Sequence, residues 1–480
     1  MKPILCLALF LCSATLPVLA KDDRPNIIVI MADDMGYADA GFTGATDIKT
    51  PHLDALAASG VVFRQGYVTH PFCGPSRAGL LSGRYQHRFG FETNPAYDAS
   101  NPYMGIDPAE VLFPKHLQDA GYRTGVIGKW HLGSAPAFHP NHRGFDYFYG
   151  FLGGGHDYIS IDLRKPVAEG YLQALERNGM PAAFDGYLTT ALSEDAAGFV
   201  RDSGDRPFFL YLAYNAPHAP LQAPKEAIGK YAHIEDRNRR IYAAMVDVMD
   251  AGIGKVVSAL EDAGHRDNTL IFFLSDNGGP QAGPDSPSKG NGSSNKPFRG
   301  GKGDVYDGGI HVPFIASWPA RIPAGSSFEH PVIALDIAKT ALACAGTGRG
   351  VGSGLEGVDL VPHLTGETDS PPHDMLFWKN GPRWAVLSSK GDKLLSQGKG
   401  KAELYRLPED VSESRNLARE ETEQADRLKT DWMGWNEGNV PCRLMPYKAY
   451  HRDRDAFFLE AIPGDATKAG YRPGKVSTFK

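Results

Sequence analysis

The chain has 480 residues, 50 Lys and Arg against 56 Asp and Glu, and a formal net charge of −6. That balance excludes a basic nucleic-acid footprint, and an anionic substrate would need a locally positive site. With 42% hydrophobic and 22% charged residues, the composition is that of a globular chain, long enough for one large α/β domain and a smaller partner.

The first stretch, MKPILCLALFLCSATLPVLA, starts with Lys2, runs apolar from Ile4 to Leu11 and ends on Ala20. It predicts a signal peptide over residues 1–20 and a periplasmic or secreted mature protein. The apolar run is too short to span a bilayer, so no stable membrane insertion is expected. Of the five cysteines, Cys73, Cys344 and Cys442 then remain. An odd number in an exported protein leaves one thiol unpaired or chemically used. Cys344 lies in an apolar helical run, and a Cys344–Cys442 bridge would make Cys73 the odd one.

Four apolar runs follow, each ending in polar residues: Ile27 to Met31 before Asp33 and Asp34, Val126 and Ile127 before Lys129 and His131, Phe208 to Tyr214 before His218, and Leu270 to Leu274 before Asp276 and Asn277. Continuous runs of this length read as strands buried on both faces. Helical patterns lie between them, at 51–59, 114–120, 187–201 and 237–263. The alternation predicts a layered α/β fold, a large mostly parallel or mixed central sheet between helices. Ligands gather beyond the carboxyl ends of such strands, where all four runs deliver their polar residues. The Gly-, Pro- and Ser-rich stretch 278–301 reads as a mobile surface loop, and 346–357 as a connector. From about Pro371 the pattern changes to short antiparallel strands and an amphipathic helix. The expected division is a catalytic domain over 21–370 and a C-terminal α+β subdomain over 371–480.

Asp33, Asp34, Asp276 and Asn277 are oxygen donors at two strand ends. All-oxygen ligation suits Ca²⁺, with Mg²⁺ as the second choice, over zinc. Arg77, Lys129, His131, His218 and Lys302 lie in Gly- or Pro-punctuated loops. Beside a metal they describe a pocket for an anion with a tetrahedral centre. Cys73 itself stands in a Gly-Pro turn, CGPSR, which reads as the placing of a reagent.

The stretch CGPSRAGLLSGR, Cys73 to Arg84, resembles the signature of the type I sulfatases, in the alkaline phosphatase superfamily. Asp33-Asp34, GKWHLG, NAPHAP, SDNGG and RGGKGDVYDGGIHVP follow in that family's order from about Asn26 to Pro313, and ELYRLPEDVSESRNLA resembles its C-terminal subdomain. The resemblance implies that Cys73 is a precursor of formylglycine, made by a formylglycine-generating or anaerobic sulfatase-maturating enzyme. It further implies that Asp33, Asp34, Asp276, Asn277 and residue 73 surround Ca²⁺, and that Arg77 fixes the formylglycine. Lys129 and Lys302 would neutralise the sulfuryl group, His218 would protonate the leaving alcohol, and His131 would take the proton that lets sulfate leave. His156 corresponds to a polar substrate contact. His87 and Arg88, just after the signature, would line a sugar subsite, or their segment is a packed connection. Where many members of the family carry Glu and Arg, this chain has Asp307 and His311, read as supporting residues. The implied activity is hydrolysis of sulfate esters on a carbohydrate of galactan or carrageenan type. A phosphonate or phosphate ester hydrolase on the same scaffold is one alternative, and a non-catalytic binder of sulfated glycans is another.

Overall fold

Asn26–Ala32 is buried at all seven positions because it has parallel partners on both edges and packed layers on both faces. Its residues alternate between two cores. Ile27, Val29 and Met31 face one, while Ile28, Ile30 and Ala32 face the other. The computed structural model describes residues 23–159, 174–281, 290–347, 350–352 and 354–445. The expected leader, residues 1–20, lies outside them.

Among the described residues ten strands form the main sheet, in the order Ser326–Phe328, Val61–Phe63, Phe314–Ser317, Thr269–Ser275, Asn26–Ala32, Phe208–Ala213, Arg123–Lys129, Tyr147–Phe151, Glu176–Arg177 and Met180–Pro181. The five from Thr269–Ser275 to Tyr147–Phe151 are mutually parallel. Phe314–Ser317 runs antiparallel between its neighbours, so the sheet is mixed. Helices Leu188–Arg201 and Arg237–Asp262 cover one face, and Cys73–Ser82 and Leu335–Cys344 pack on the other. No helix among the described residues is long and apolar enough to cross a membrane.

A second, antiparallel sheet follows: Met375–Asn380, Arg383–Ser388, Asp392–Ser396 and Glu403–Arg406. Helix Thr422–Glu437 lies against it, with Leu428 in a small core beside Val386, Leu394 and Leu404. The opposite face contributes Trp378, Leu387 and Leu395 to the main core.

Two expectations are corrected and one open question is answered. Cys73 is not in a turn but is the first residue of helix Cys73–Ser82, whose first turn is closed by the Ser76 N–H on the Phe72 carbonyl at 3.0 Å. Pro75 fits there because first-turn residues need no intrahelical N–H partner. Second, Cys73, Cys344 and Cys442 are all free, so no Cys344–Cys442 bridge forms. Cys344 packs against the main core, while the Cys442 thiol meets the Leu444 carbonyl. Third, residues 290–301 are anchored by the buried Asn291, Asn295, Phe298 and Gly301, although Lys296, Pro297 and Arg299 are exposed, and 282–289 lie outside the described residues. The fully buried Asn295 amide accepts from the Gly279 N–H at 2.8 Å and donates to the Gly279 and Gly300 carbonyls.

Helix Pro51–Ala58 begins without a capping side chain of its own. Asp250, from helix Arg237–Asp262, supplies one, accepting from the His52 and Leu53 N–H groups at 3.1 and 2.8 Å. Burial pushes its carboxyl up to about 6. The native state therefore holds that proton over a pH range in which the unfolded chain has lost it. Stability from this group falls as pH rises from about 4 to about 6, then levels off. Asp250→Asn should remove that slope, worth roughly 2–4 kcal/mol. Denaturant unfolding of both proteins at pH 4 and pH 7 checks it.

Candidate active site

Four adjacent parallel strands end on the same side: Lys129 is the last residue of one, Asp33 and Asp276 directly follow two others, and His218 lies in the loop after Phe208–Ala213. The chain turns sharply there. Asp34 and His131 both have left-handed backbone, with φ 63° and 61°, the kind of local strain that packed functional sites retain. The Asp34 N–H donates to Asp276 Oδ1 at 3.2 Å, joining two of the strand ends.

The head of helix Cys73–Ser82 points into this cluster. Cys73 Sγ lies 3.6 Å from Asp33 Oδ1 and accepts from Lys302 Nζ at 3.2 Å. Asn94, from a distant loop, takes the Gly74 N–H at 2.9 Å and so fixes the start of the helix. Burial and the nearby Asp276 charge push the thiol well above its ordinary range, although Lys129 and Lys302 oppose them. A neutral, fully buried thiol of this kind is a poor thiolate nucleophile.

Arg77 lies one helical turn further on and is wholly buried. It donates to Asp276 Oδ2 from Nε at 3.0 Å and from Nη2 at 2.7 Å, and Nη1 reaches the Lys129 carbonyl at 3.1 Å and the Tyr211 hydroxyl at 3.4 Å. Lys129 Nζ donates to Asp33 Oδ2 at 2.5 Å, and Lys302 Nζ to Asp34 Oδ1 at 2.6 Å. Burial alone would raise both aspartates. Lys129 and His218 outweigh it at Asp33, and Lys302 and His218 at Asp34, so both lie below the usual carboxylate range. Donor atoms of Asp33, Asp34, Cys73 and His218 all fall within 4.8 Å of one another.

The donor set tests directly for a hard cation. Asn277 is fully buried, and its Nδ2 is used on Asp34 Oδ1 and the Gly278 carbonyl while Oδ1 has no hydrogen-bond partner. A buried carbonyl oxygen without a donor, on a side chain whose amide nitrogen already meets Asp34, is chemically suited to Ca²⁺.

His131 is buried and held below its ordinary range, by burial first and then by Lys129 and Arg77. Tyr97 stacks on it, and the Tyr97 hydroxyl meets Nε2 at 3.0 Å, leaving Nδ1 without a partner. Sequence reasoning missed Tyr97 and Tyr211, because single tyrosines outside a motif give no signal. His218 Nδ1 faces the Ala219 carbonyl at 2.6 Å and Nε2 faces Asp34 Oδ2 at 3.5 Å. His156 is buried against Phe151 and Phe184, with Nδ1 on the Asp157 carbonyl and Nε2 unpartnered.

His87 and Arg88 are not brought to this cluster. His87 is buried with Nε2 on the Lys379 carbonyl, and Arg88 is committed to Glu356, the Trp435 carbonyl and Asn439. These contacts tie their segment to the C-terminal sheet and helix, as the packed-connection alternative expects. Asp307 and His311 support the site from behind. Asp307 pairs with the buried Lys393 at 2.6 Å and with His311 Nδ1 at 3.1 Å, and the helical turn it begins accepts the Gly278 N–H on the Gly309 carbonyl.

Comparison with known proteins agrees with this geometry. The family model described as Sulfatase matches residues 25–347. The chain is 36% identical over 383 residues to N-acetylgalactosamine-6-sulfatase of Canis lupus familiaris, covering 76% of this chain and 71% of that protein. It is 30% identical to the steryl-sulfatase of Homo sapiens over 75% of this chain and 74% of that one. The solved structure of Ps i-CgsB in complex with k-i-k-neocarrahexaose superposes with a TM-score of 0.83 at 36% identity, over 94% of this chain and all of the other. A phosphonate monoester hydrolase, SpPMH from Silicibacter pomeroyi, shares the fold at a TM-score of 0.65 and 19% identity. The chain belongs to the sulfatase family and is a sulfuric ester hydrolase.

Proposed function

We propose that this sulfatase acts on carbohydrate sulfate esters, that residue 73 works as formylglycine, and that Ca²⁺ is its metal. The observation that carries the reading is the seat of Cys73: a buried Sγ between Lys302 Nζ and Asp33 Oδ1, at the head of a helix, over three carboxylates. When present, the formylglycine hydrate offers two hydroxyls, and the ion a positive centre for a sulfate oxygen.

The chain's own residues divide the remaining work. Asp33, Asp34, Asp276 and Asn277 hold the ion. Arg77 locks Asp276 and the Lys129 carbonyl together, keeping two strand ends in register with the helix. Lys129 and Lys302 hold positive charge where the sulfuryl group gains negative charge. His218 stands against Asp34, with Nε2 3.5 Å from Oδ2, and from there it would give the proton to the leaving alcohol. His131, kept neutral and fixed by Tyr97, is the base for the hydroxyl proton of residue 73. His156 offers its unpartnered Nε2 to the substrate.

Galactan-type sulfates are the proposed substrates, because N-acetylgalactosamine and neocarra-oligosaccharides, named for two relatives, share the galacto configuration. Export by the leader segment and conversion of Cys73 by a formylglycine-generating or anaerobic sulfatase-maturating enzyme belong to the same reading. The test is sulfate release from neocarra-oligosaccharides and from N-acetylgalactosamine 6-sulfate, against an aryl phosphate diester. Turnover of at least one sugar sulfate, far above the diester, is expected. Preference for the diester would favour the phosphonate or phosphate ester reading, which the fold shared with SpPMH keeps specific.

Chelation supplies a separate prediction. Dialysis against EGTA should lower turnover at least about 100-fold, with Ca²⁺ restoring it better than Mg²⁺. The melting temperature should fall with it, because the ion no longer offsets repulsion among the buried carboxylates. Unchanged activity and melting after chelation would remove the metal from the account.

A further inference from the structure

Lys302 is the one cation in direct contact with Cys73 Sγ among the described residues, and its backbone is gripped from two sides. On one side the Gly303 N–H donates to the Pro71 carbonyl at 3.0 Å, and Gly303 has φ 94° with the Phe72 ring 3.1 Å from where a Cβ would stand. That side ties Lys302 to the entry of the Cys73 helix. On the other side the Gly303 carbonyl accepts two hydrogen bonds from the C-terminal sheet, from Asn380 Nδ2 at 2.9 Å and Arg383 Nη1 at 2.5 Å.

Asn380 and Arg383 face each other across the two-residue turn Gly381-Pro382 that joins Met375–Asn380 to Arg383–Ser388. The turn therefore presents both donors at one point. Its first strand is itself anchored. The Trp378 indole donates to the Val68 carbonyl at 2.7 Å, and the Lys379 carbonyl meets His87 Nε2 at 2.8 Å. Arg383 also lies 3.5 Å from Asp304, one residue beyond Gly303.

We propose that Asn380 and Arg383 are positioning residues for Lys302: the C-terminal hairpin completes the active site by fixing the Gly303 carbonyl, and with it the Lys302 ammonium against residue 73. The inference rests on the sulfuryl-transfer reading of the site. Two donors on one carbonyl fix its position more tightly than either alone, and an error of about 1 Å at a reacting group can cost about 100-fold in rate.

The test is a double-mutant cycle on sulfate release, with melting followed in parallel. Asn380→Ala/Arg383→Ala should lower kcat roughly 30-fold with KM changed less than about threefold, as expected when a transition-state interaction is lost. Arg383→Lys, which retains a cationic donor, should recover most of the rate lost in Arg383→Ala. In a Lys302→Ala background the hairpin substitutions should add less than about twofold, because the group they position is gone. A hairpin variant within twofold of an active wild type overturns the clamp alone. So does a full further loss in the Lys302→Ala background, since the effect would then not pass through Lys302. A wild type that releases no sulfate from any ester overturns the reading beneath it.

Discussion

Cys73→Ala should abolish sulfate release, a loss of at least about 10⁴-fold, while the protein still folds. Both halves of that expectation come from the same geometry. The sulfur contacts Lys302 and Asp33, polar groups that keep other partners: Lys302 stays on Asp34, and Asp33 on Lys129. Removing one buried sulfur atom from such a seat costs about 1 kcal/mol, a small part of a domain's stability. Neighbouring residues have no substitute to offer, because a formylglycine hydrate requires a side chain that can be oxidised to an aldehyde. Sulfate release and thermal melting of the purified variant check the two halves separately. Wild-type-like turnover would end the formylglycine reading.

His218→Ala should separate substrates by their leaving groups. A sugar alkoxide is a poor leaving group and needs a proton as the ester bond breaks. An activated aryl oxide needs little. The variant should lose about 10²–10⁴-fold on sugar sulfates, the usual contribution of a general acid, and less than about tenfold on a nitrophenyl sulfate. The imidazole is well placed for that role in the loop after the Phe208–Ala213 strand, with Nε2 3.5 Å from Asp34 Oδ2 and a side chain that is partly exposed. Equal losses on both substrates would show a structural or charge effect and remove His218 from the acid role.

Much of the fold was legible in the sequence because the central strands are parallel and covered on both faces. Such strands cannot alternate polar and apolar residues, so Ile27–Met31, Phe208–Tyr214 and Leu270–Leu274 stand out as unbroken apolar runs. Their polar ends then mark the site, since adjacent parallel strands must deliver them to one edge of the sheet. The short strands were harder. Tyr147–Phe151 and Phe314–Ser317 have five and four residues and no polar payload. The helix at Cys73 was hidden by Gly74 and Pro75, which read as a turn when their place in a first helical turn is not known. Asn94, Tyr97, Asn380 and Arg383 could not be found from sequence. Each acts on a residue far along the chain, and a lone polar residue in a loop looks the same whether it caps a distant helix or faces water.

His87 and Arg88 show the converse. Their nearness in sequence to the nucleophile suggested a sugar subsite, yet His87 Nε2 is turned onto the Lys379 carbonyl, toward the C-terminal sheet. There, Arg88 finds Glu356 and the carbonyl end of helix Thr422–Glu437. Distance along the chain is a poor guide to a site that is assembled across strand ends.

The central claim is that residue 73 is a formylglycine in the working enzyme. The most direct measurement is the mass of the proteolytic peptide containing residue 73, from protein expressed with a formylglycine-generating system and shown to release sulfate. The account predicts a peptide about 18 Da lighter than the cysteine form, or its hydrate, in proportion to specific activity. A fully active preparation whose peptide carries only unmodified cysteine would contradict it.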